Sequence, residues 1–290
     1  MNVREASFAG SWYPATASEC EREIRGFLKD PAVPEIPDAN YLGGIVPHAG
    51  WYFSGLLACR VIAALAGPPS RSKPDVVAVF GMHLHPGSTP RIMTEGYWET
   101  PFGHIEIDSH LAGRLTRQFS FAEETPAQVM PENTIELQLP FIKYFFPSSR
   151  LLPIGAPPAP VSLDIARVLA ETAIADNISL KVVGSTDLTH YGANYGFSPA
   201  GSGNRAVDWA KTQNDRAVID RMLALDPEGT IREALTHQNA CCGGAAAAAM
   251  EASKTLGATR AVLAGYSSSH DKHPSESFVG YAGVLFCEEN

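Results

Sequence analysis

The chain of 290 residues carries a formal net charge of -9, with 18% charged and 45% hydrophobic residues. That composition describes a folded globular protein and excludes a disordered one. It also argues against a nucleic-acid binder, which needs clustered Lys and Arg to neutralise phosphates, and no apolar run of 18 residues is present to span a membrane.

The opening MNVREASFAGSWYP places charge and aromatics where a signal peptide needs a continuous apolar core, so a cytoplasmic address is expected. Next, SECE at 18–21 reads as a capping box from Ser18 to Glu21, opening a helix with Ile24, Phe27 and Leu28 at helical spacing. GGIVP (43–47) is expected as a short buried strand, followed by a helix over 55–67. DVVAVFG (75–81) is rich in β-branched residues and favours a strand. Alternation then continues: strand 151–156, helix 163–174, strand 179–185, a long helical stretch from about Ala206 to Leu225, and helices at 229–238 and 243–257. Two further strands are expected at 260–266 and 278–286. The alanine run 245–249 fits a tightly packed helix better than a low-complexity segment. Such alternation predicts an α/β fold, one domain over residues 1–290, with a mostly parallel central sheet flanked by helices.

Open parallel sheets collect functional groups beyond the carboxyl ends of their strands. His48 follows one predicted strand, His83 and His85 a second, Asp187 and His190 a third, and His270 and His273 a fourth. One histidine after a strand is usually a loop residue satisfied by a carbonyl. Several imidazoles and a carboxylate gathered at one sheet edge suit a divalent transition metal better. The five cysteines lack CxxC metal spacing, but Cys242 stands in a Cys pair at the predicted start of a helix, where free N–H groups favour thiolate. Glu132 and Glu136, four apart, are expected on one face of a helix. Trp51, Tyr52 and Ser54, between Gly50 and Gly55, either wall an aromatic pocket or staple the loop to its helix. No phosphate loop, GxSxG elbow or GxGxxG fingerprint is present.

The segments REASFAGSWYP, PHAGW, the strand ending GMHLH, WETPFG, ENTIELQLPF, STDLTHYG, Cys242-Gly243 and FVGYAG follow one another along almost the whole chain. In this order they resemble the Memo family, known in bacteria as AmmeMemoRadiSam system protein B and related in fold to class III extradiol ring-cleaving dioxygenases. The resemblance implies a site similar to a non-haem iron centre. His48 would be one ligand, His83 or His85 a second, and Cys242 a third, standing where the dioxygenases have a carboxylate. Asp187 and His190 would share the pocket, with His190 as acid/base, and Glu136 matches a carboxylate of the lining helix. The chain departs from the family pattern in Leu84, which holds the usual histidine position between His83 and His85, in Asn133, which replaces an imidazole, and in His270, which stands where small residues are common.

An iron(II)-dependent, dioxygenase-like oxidoreductase acting on a small aromatic substrate is therefore expected, although thiolate with imidazole also suits copper(I). The rival is a scaffold or metal-handling protein that binds a partner or peptide through the same pocket. The bacterial family name further implies AMMECR1-like and radical SAM partners. The chain itself has no CxxxCxxC, so radical chemistry would be supplied in trans and no iron–sulfur cluster is expected here.

Overall fold

The apolar and β-branched runs become strands in the computed structural model, which describes residues 2–31, 35–68, 70–125 and 130–289. In chain order the strands are β1 (Val3–Arg4), β2 (Tyr41–Val46), β3 (Val76–Gly81), β4 (Arg91–Met93), β5 (Tyr97–Thr100), β6 (Gly103–Glu106), β7 (Ala122–Glu124), β8 (Arg150–Gly155), β9 (Leu180–Ser185), β10 (His190–Tyr191), β11 (Arg260–Ser268) and β12 (Phe278–Cys287). The main sheet runs β10-β12-β2-β9-β3-β8-β4-β7, with β11 on β12. A separate three-stranded sheet has the order β1-β5-β6.

The expected parallel sheet is the centre of the main one. Strands β2, β9, β3 and β8 pair parallel, whereas β12 joins β2 antiparallel and β4 joins β8 antiparallel. The whole is a single α/β domain with a curled central sheet flanked by helices. Every residue of β3 and β9 is buried, as expected of strands covered on both faces. Side chains alternate between the two covers: Val76, Ala78 and Phe80 pack with the helices Pro160–Ala175 and Gly243–Thr255, while Val77 and Val79 pack with the helix Leu56–Ala66.

The alanine-rich helix Gly243–Thr255 owes its composition to closeness. Ala245 to Ala249 are fully buried, and a Cβ on Gly184 of β9 would lie 2.7 Å from the Ala245 carbonyl. At the helix start a Cβ on Gly244 would collide with the Pro157 carbonyl just beyond β8. Small residues thus let this helix lie against the sheet and bring its N-terminus to the carboxyl edge of the parallel strands.

Three local expectations are corrected. The first helix, Ala17–Lys29, is capped by Thr16, whose hydroxyl accepts from the Glu19 amide, so the cap lies two residues before Ser18; Leu28 in that helix is exposed. The stretch from Ala206 to Leu225 is interrupted by a π-turn at Ala210–Asn214. Glu132 and Glu136 do not share a helical face, because Asn133–Glu136 is a single turn and Glu132 is its N-cap. The Glu132 carboxylate accepts from the Thr134 and Ile135 amides at 2.8 and 2.9 Å.

Candidate metal centre

Three adjacent parallel strands end at one edge: β2 at Val46, β9 at Ser185 and β3 at Gly81. Each delivers a polar side chain within two residues, namely His48, Asp187 and His83. The third of these turns is unusual. Met82 adopts a left-handed φ of 70°, and its amide donates to Thr134 Oγ1 at 2.7 Å. A non-glycine residue held in that region marks a place where the surrounding structure imposes the geometry.

Into the same edge the start of the helix Gly243–Thr255 brings Cys241 and Cys242. The Cys242 amide donates to Thr186 Oγ1 at 3.0 Å, and the Cys241 amide to the Asp187 carbonyl at 3.1 Å, so both are tied to the β9 loop. As a result one donor atom from each of His48, His83, Cys241 and Cys242 lies within 4.8 Å of the others. Cys241 Sγ is 3.3 Å from His48 Nε2 and 3.8 Å from Cys242 Sγ. The His48 and His83 rings meet edge to face with centroids 5.1 Å apart.

A hydroxyl fixes which His48 nitrogen is offered. Ser185 Oγ donates to the Thr134 carbonyl at 2.7 Å, and so accepts from His48 Nδ1 at 3.0 Å. Nε2 then points at the sulfur of Cys241, the arrangement by which an outer partner orients a metal-binding imidazole. His48 is buried, and burial opposes its charge. The Asp187 carboxylate and Cys241 outweigh that and raise its pKa to about 9. Burial also disfavours charge on Cys241, yet the Cys242 S–H and His48 hold it well below the usual thiol value. Cys242 is pushed well above it by burial and by the neighbouring sulfur.

Two imidazoles and two sulfurs fit a thiophilic transition ion such as iron(II), copper(I) or zinc(II). Cys241 was not among the residues singled out from sequence. The adjacent Cys-Cys pair was the signal for it, but only the fold shows that both sulfurs reach the edge. His85 lies outside this donor group and is exposed, with its amide bonded to Ser88 Oγ.

Beside the donors opens a cavity of about 730 Å³. His48 and His83 line it, together with Asp187, His190, Asn133 and His273. Trp12, Tyr52, Phe53, Tyr195 and Tyr281 supply aromatic wall. Trp51 does not line it. It stacks on Phe141 at 4.0 Å and donates Nε1–H to the Leu137 carbonyl, so the loop is both stapled, by Trp51, and pocket-forming, through Tyr52.

Asp187 Oδ1 accepts the His48 amide at 2.7 Å, while Oδ2 is 3.9 Å from His48 Nε2. Its pKa is raised by burial, against the opposing pull of His48. His190 Nδ1 donates to the Leu188 carbonyl at 3.0 Å, leaving Nε2 as the nitrogen free for proton transfer. Asn133 Nδ2 donates to the His48 carbonyl at 3.3 Å. His270 is tied to Ser275 and is not part of the cavity wall.

Glu136 occupies a different place from the pocket carboxylate implied above. It is buried away from the cavity and accepts the amides of Ser7 at 3.0 Å and Phe8 at 2.7 Å, and the Tyr13 hydroxyl at 3.0 Å. It thereby anchors the N-terminal segment, which carries Trp12 to the cavity rim.

The MEMO1 family protein of Methanopyrus kandleri is 33% identical over 98% of both chains. That of Methanosarcina barkeri is 32% identical, over 98% of this chain and 99% of its own. Among solved structures, the uncharacterized protein JW3007 from Escherichia coli K12 superposes with a TM-score of 0.50 at 12% identity, covering 84% of this chain and 98% of that one, a likeness of fold. No described helix is long and apolar enough to cross a membrane. Since the model of the Memo-like proteins matches residues 4–285, a span that includes all four donor residues, the chain belongs to the Memo family.

Proposed function

We propose that this chain is a metal-dependent oxidoreductase, with non-haem iron as the metal and a small hydroxylated aromatic as the substrate. One observation carries the reading: four metal-type donors converge beside a cavity whose wall also holds His190 and Asp187. A purely structural metal site has no need of an adjoining pocket with acid/base groups.

His48, His83, Cys242 and Cys241 would hold the ion. Iron(II) held there would supply electrons and a Lewis-acid position for oxygen chemistry. The remaining work falls to this chain. A cavity of about 730 Å³ is within the size range of small-molecule sites, and its aromatic walls suit a flat ring. His190 Nε2 would accept the substrate hydroxyl proton, since Nδ1 is committed to the Leu188 carbonyl. Asp187 is held by the His48 amide and keeps a carboxylate beside that imidazole.

The test is metal analysis of protein purified without chelator, followed by anaerobic iron loading and admission of oxygen in the presence of a catechol panel. Ring-cleavage absorbance is expected with at least one member and should be lost in His190→Ala while iron stays bound. A second reading is favoured by Cys241: four protein donors fill a tetrahedral sphere, as in proteins that store or transfer a soft ion. Bound metal without turnover of any panel member would transfer the conclusion to that reading.

A further inference from the structure

The two sulfurs at this edge belong to adjacent residues and lie 3.8 Å apart. Their surroundings differ from those of the other three cysteines. Cys20, Cys59 and Cys287 are buried singly, whereas Cys241 is partly exposed and also accepts the Asp187 amide at 3.3 Å. A partly exposed cysteine with a second thiol beside it is the arrangement in which an oxidised cysteine is resolved as a disulfide before it oxidises further.

We propose that Cys241 and Cys242 form a reversible disulfide whose closure discharges the metal, so that the centre is switched by hydroperoxides. This rests on the metal-holding reading above. The chemistry balances with hydrogen peroxide as oxidant. The Cys241 sulfur attacks one peroxide oxygen, the O–O bond breaks, and Cys241 sulfenic acid and one water form. The Cys242 thiol then attacks the sulfenic sulfur, the S–O bond breaks, and the S–S bond and a second water form. The cysteine pair loses two electrons and two hydrogens, which the peroxide gains.

Two physical consequences make this a switch. Disulfide sulfur is a poor ligand, so closure would remove two of the four donors and leave only His48 and His83. Adjacent residues hold their Cα atoms about 3.8 Å apart, closer than the roughly 4.4–6.8 Å of ordinary disulfides. A bridge formed there is strained, and strained bridges are the readily reduced, regulatory ones.

Hydrogen peroxide in small excess, applied to fully reduced protein in metal-free and zinc(II)-loaded form, tests the proposal; zinc avoids redox chemistry of the metal itself. Of the five free thiols, two should disappear, with a peptide containing residues 241 and 242 lighter by two hydrogens. About one zinc should be released per bridge, and dithiothreitol should restore both thiols and zinc uptake. Cys241→Ser and Cys242→Ser should each prevent the bridge. Unchanged thiols, sulfinic acid at Cys241 in place of a bridge, or pairing that involves Cys20, Cys59 or Cys287 would overturn the bridge. A bridge that forms with zinc retained would overturn the switch. Failure to take up any zinc or iron would defeat the metal-holding reading and the switch with it, while thiol counting in the metal-free sample still decides the bridge.

Discussion

Two polar regions of this molecule differ in how their side chains are partnered. Around the small β1-β5-β6 sheet, Arg4 pairs with Glu124 at 2.8 Å, donates to the Met130 carbonyl and lies 3.7 Å over the Trp98 ring. Close by in sequence terms, Glu136 accepts three hydrogen bonds from the N-terminal segment. Every charge there has an opposite partner or a set of donors. At the carboxyl edge of the parallel sheet the reverse holds. His48, His83, Cys241 and Cys242 turn lone-pair atoms toward one another beside a cavity. Such atoms do not satisfy one another without a shared proton or a cation. Opposite-charge pairing marks the scaffold, and convergence of metal-type donor atoms marks the site.

The strongest way to break that contrast is to remove a converging donor. His48→Ala should weaken metal binding by more than about 100-fold, beyond the 10- to 100-fold typical of an outer partner, while the protein stays folded. Cys242→Ala should behave the same way. Metal titration alongside circular dichroism checks both. Retention of tight binding in either variant would mean that the cluster is scaffold like the other.

In the charge-paired region the signature should invert. Arg4→Ala would leave Glu124, only 5% exposed, with Arg91 at 3.3 Å as its remaining cationic partner, and is expected to destabilise the fold by about 1.5–3 kcal/mol, the range for losing a hydrogen bond to a charged group. Metal stoichiometry of the folded fraction should not change. Urea unfolding of the metal-free protein measures the first, and metal analysis the second.

Asp215 sharpens the comparison because it lies behind the site yet is saturated. Its carboxylate accepts the Thr189 amide at 2.9 Å, the Thr189 hydroxyl, and the Tyr266 hydroxyl at 2.8 Å. Burial raises its pKa from 3.8 to about 6, against the pull of those hydrogen bonds. The folded state therefore holds this proton more tightly than the unfolded chain does. Its stabilising contribution is complete below about pH 4 and is lost as pH rises through 6, amounting to about 3 kcal/mol at roughly 1.4 kcal/mol per unit. The difference in unfolding free energy between wild type and Asp215→Asn, followed from about pH 4 to pH 7, should fall with that slope. A flat difference would remove the burial argument for this group.

The contrast between regions also explains what was legible in the sequence. Strand ends were, because β-branched runs such as Val76–Gly81 are bounded by turn residues, and the parallel centre then places His48, His83 and Asp187 at one edge. What spacing alone does not carry is direction. Glu132 and Glu136 stand four apart, but the helix between them is one turn long, so their separation says nothing about a shared face. Cys241 and Cys242 are neighbours that an extended backbone would send to opposite sides. Cys242 serves as the N-cap of its helix at φ -124°, ψ 53°, and at this bend both sulfurs reach the donor group. Nor does the sequence betray the left-handed Met82, since nothing about methionine favours φ of 70°. In that conformation the Met82 amide donates to Thr134, 52 residues away.

Met82 is also what separates the two histidines that follow it, and the smallest expected effect tests it. Although His83 and His85 are both exposed, the turn at Met82 brings His83 against His48, whereas His85 lies beyond it on a turn closed by Ser88. His85→Ala should therefore leave metal affinity within about twofold and stability within about 0.5 kcal/mol, as for an ordinary surface substitution. His83→Ala should lose affinity by at least about tenfold. If parallel metal titrations of the two variants gave the opposite order, the left-handed turn would have to flip to carry His85 inward. Met82→Gly, which relaxes the backbone at that position, would then change which histidine matters.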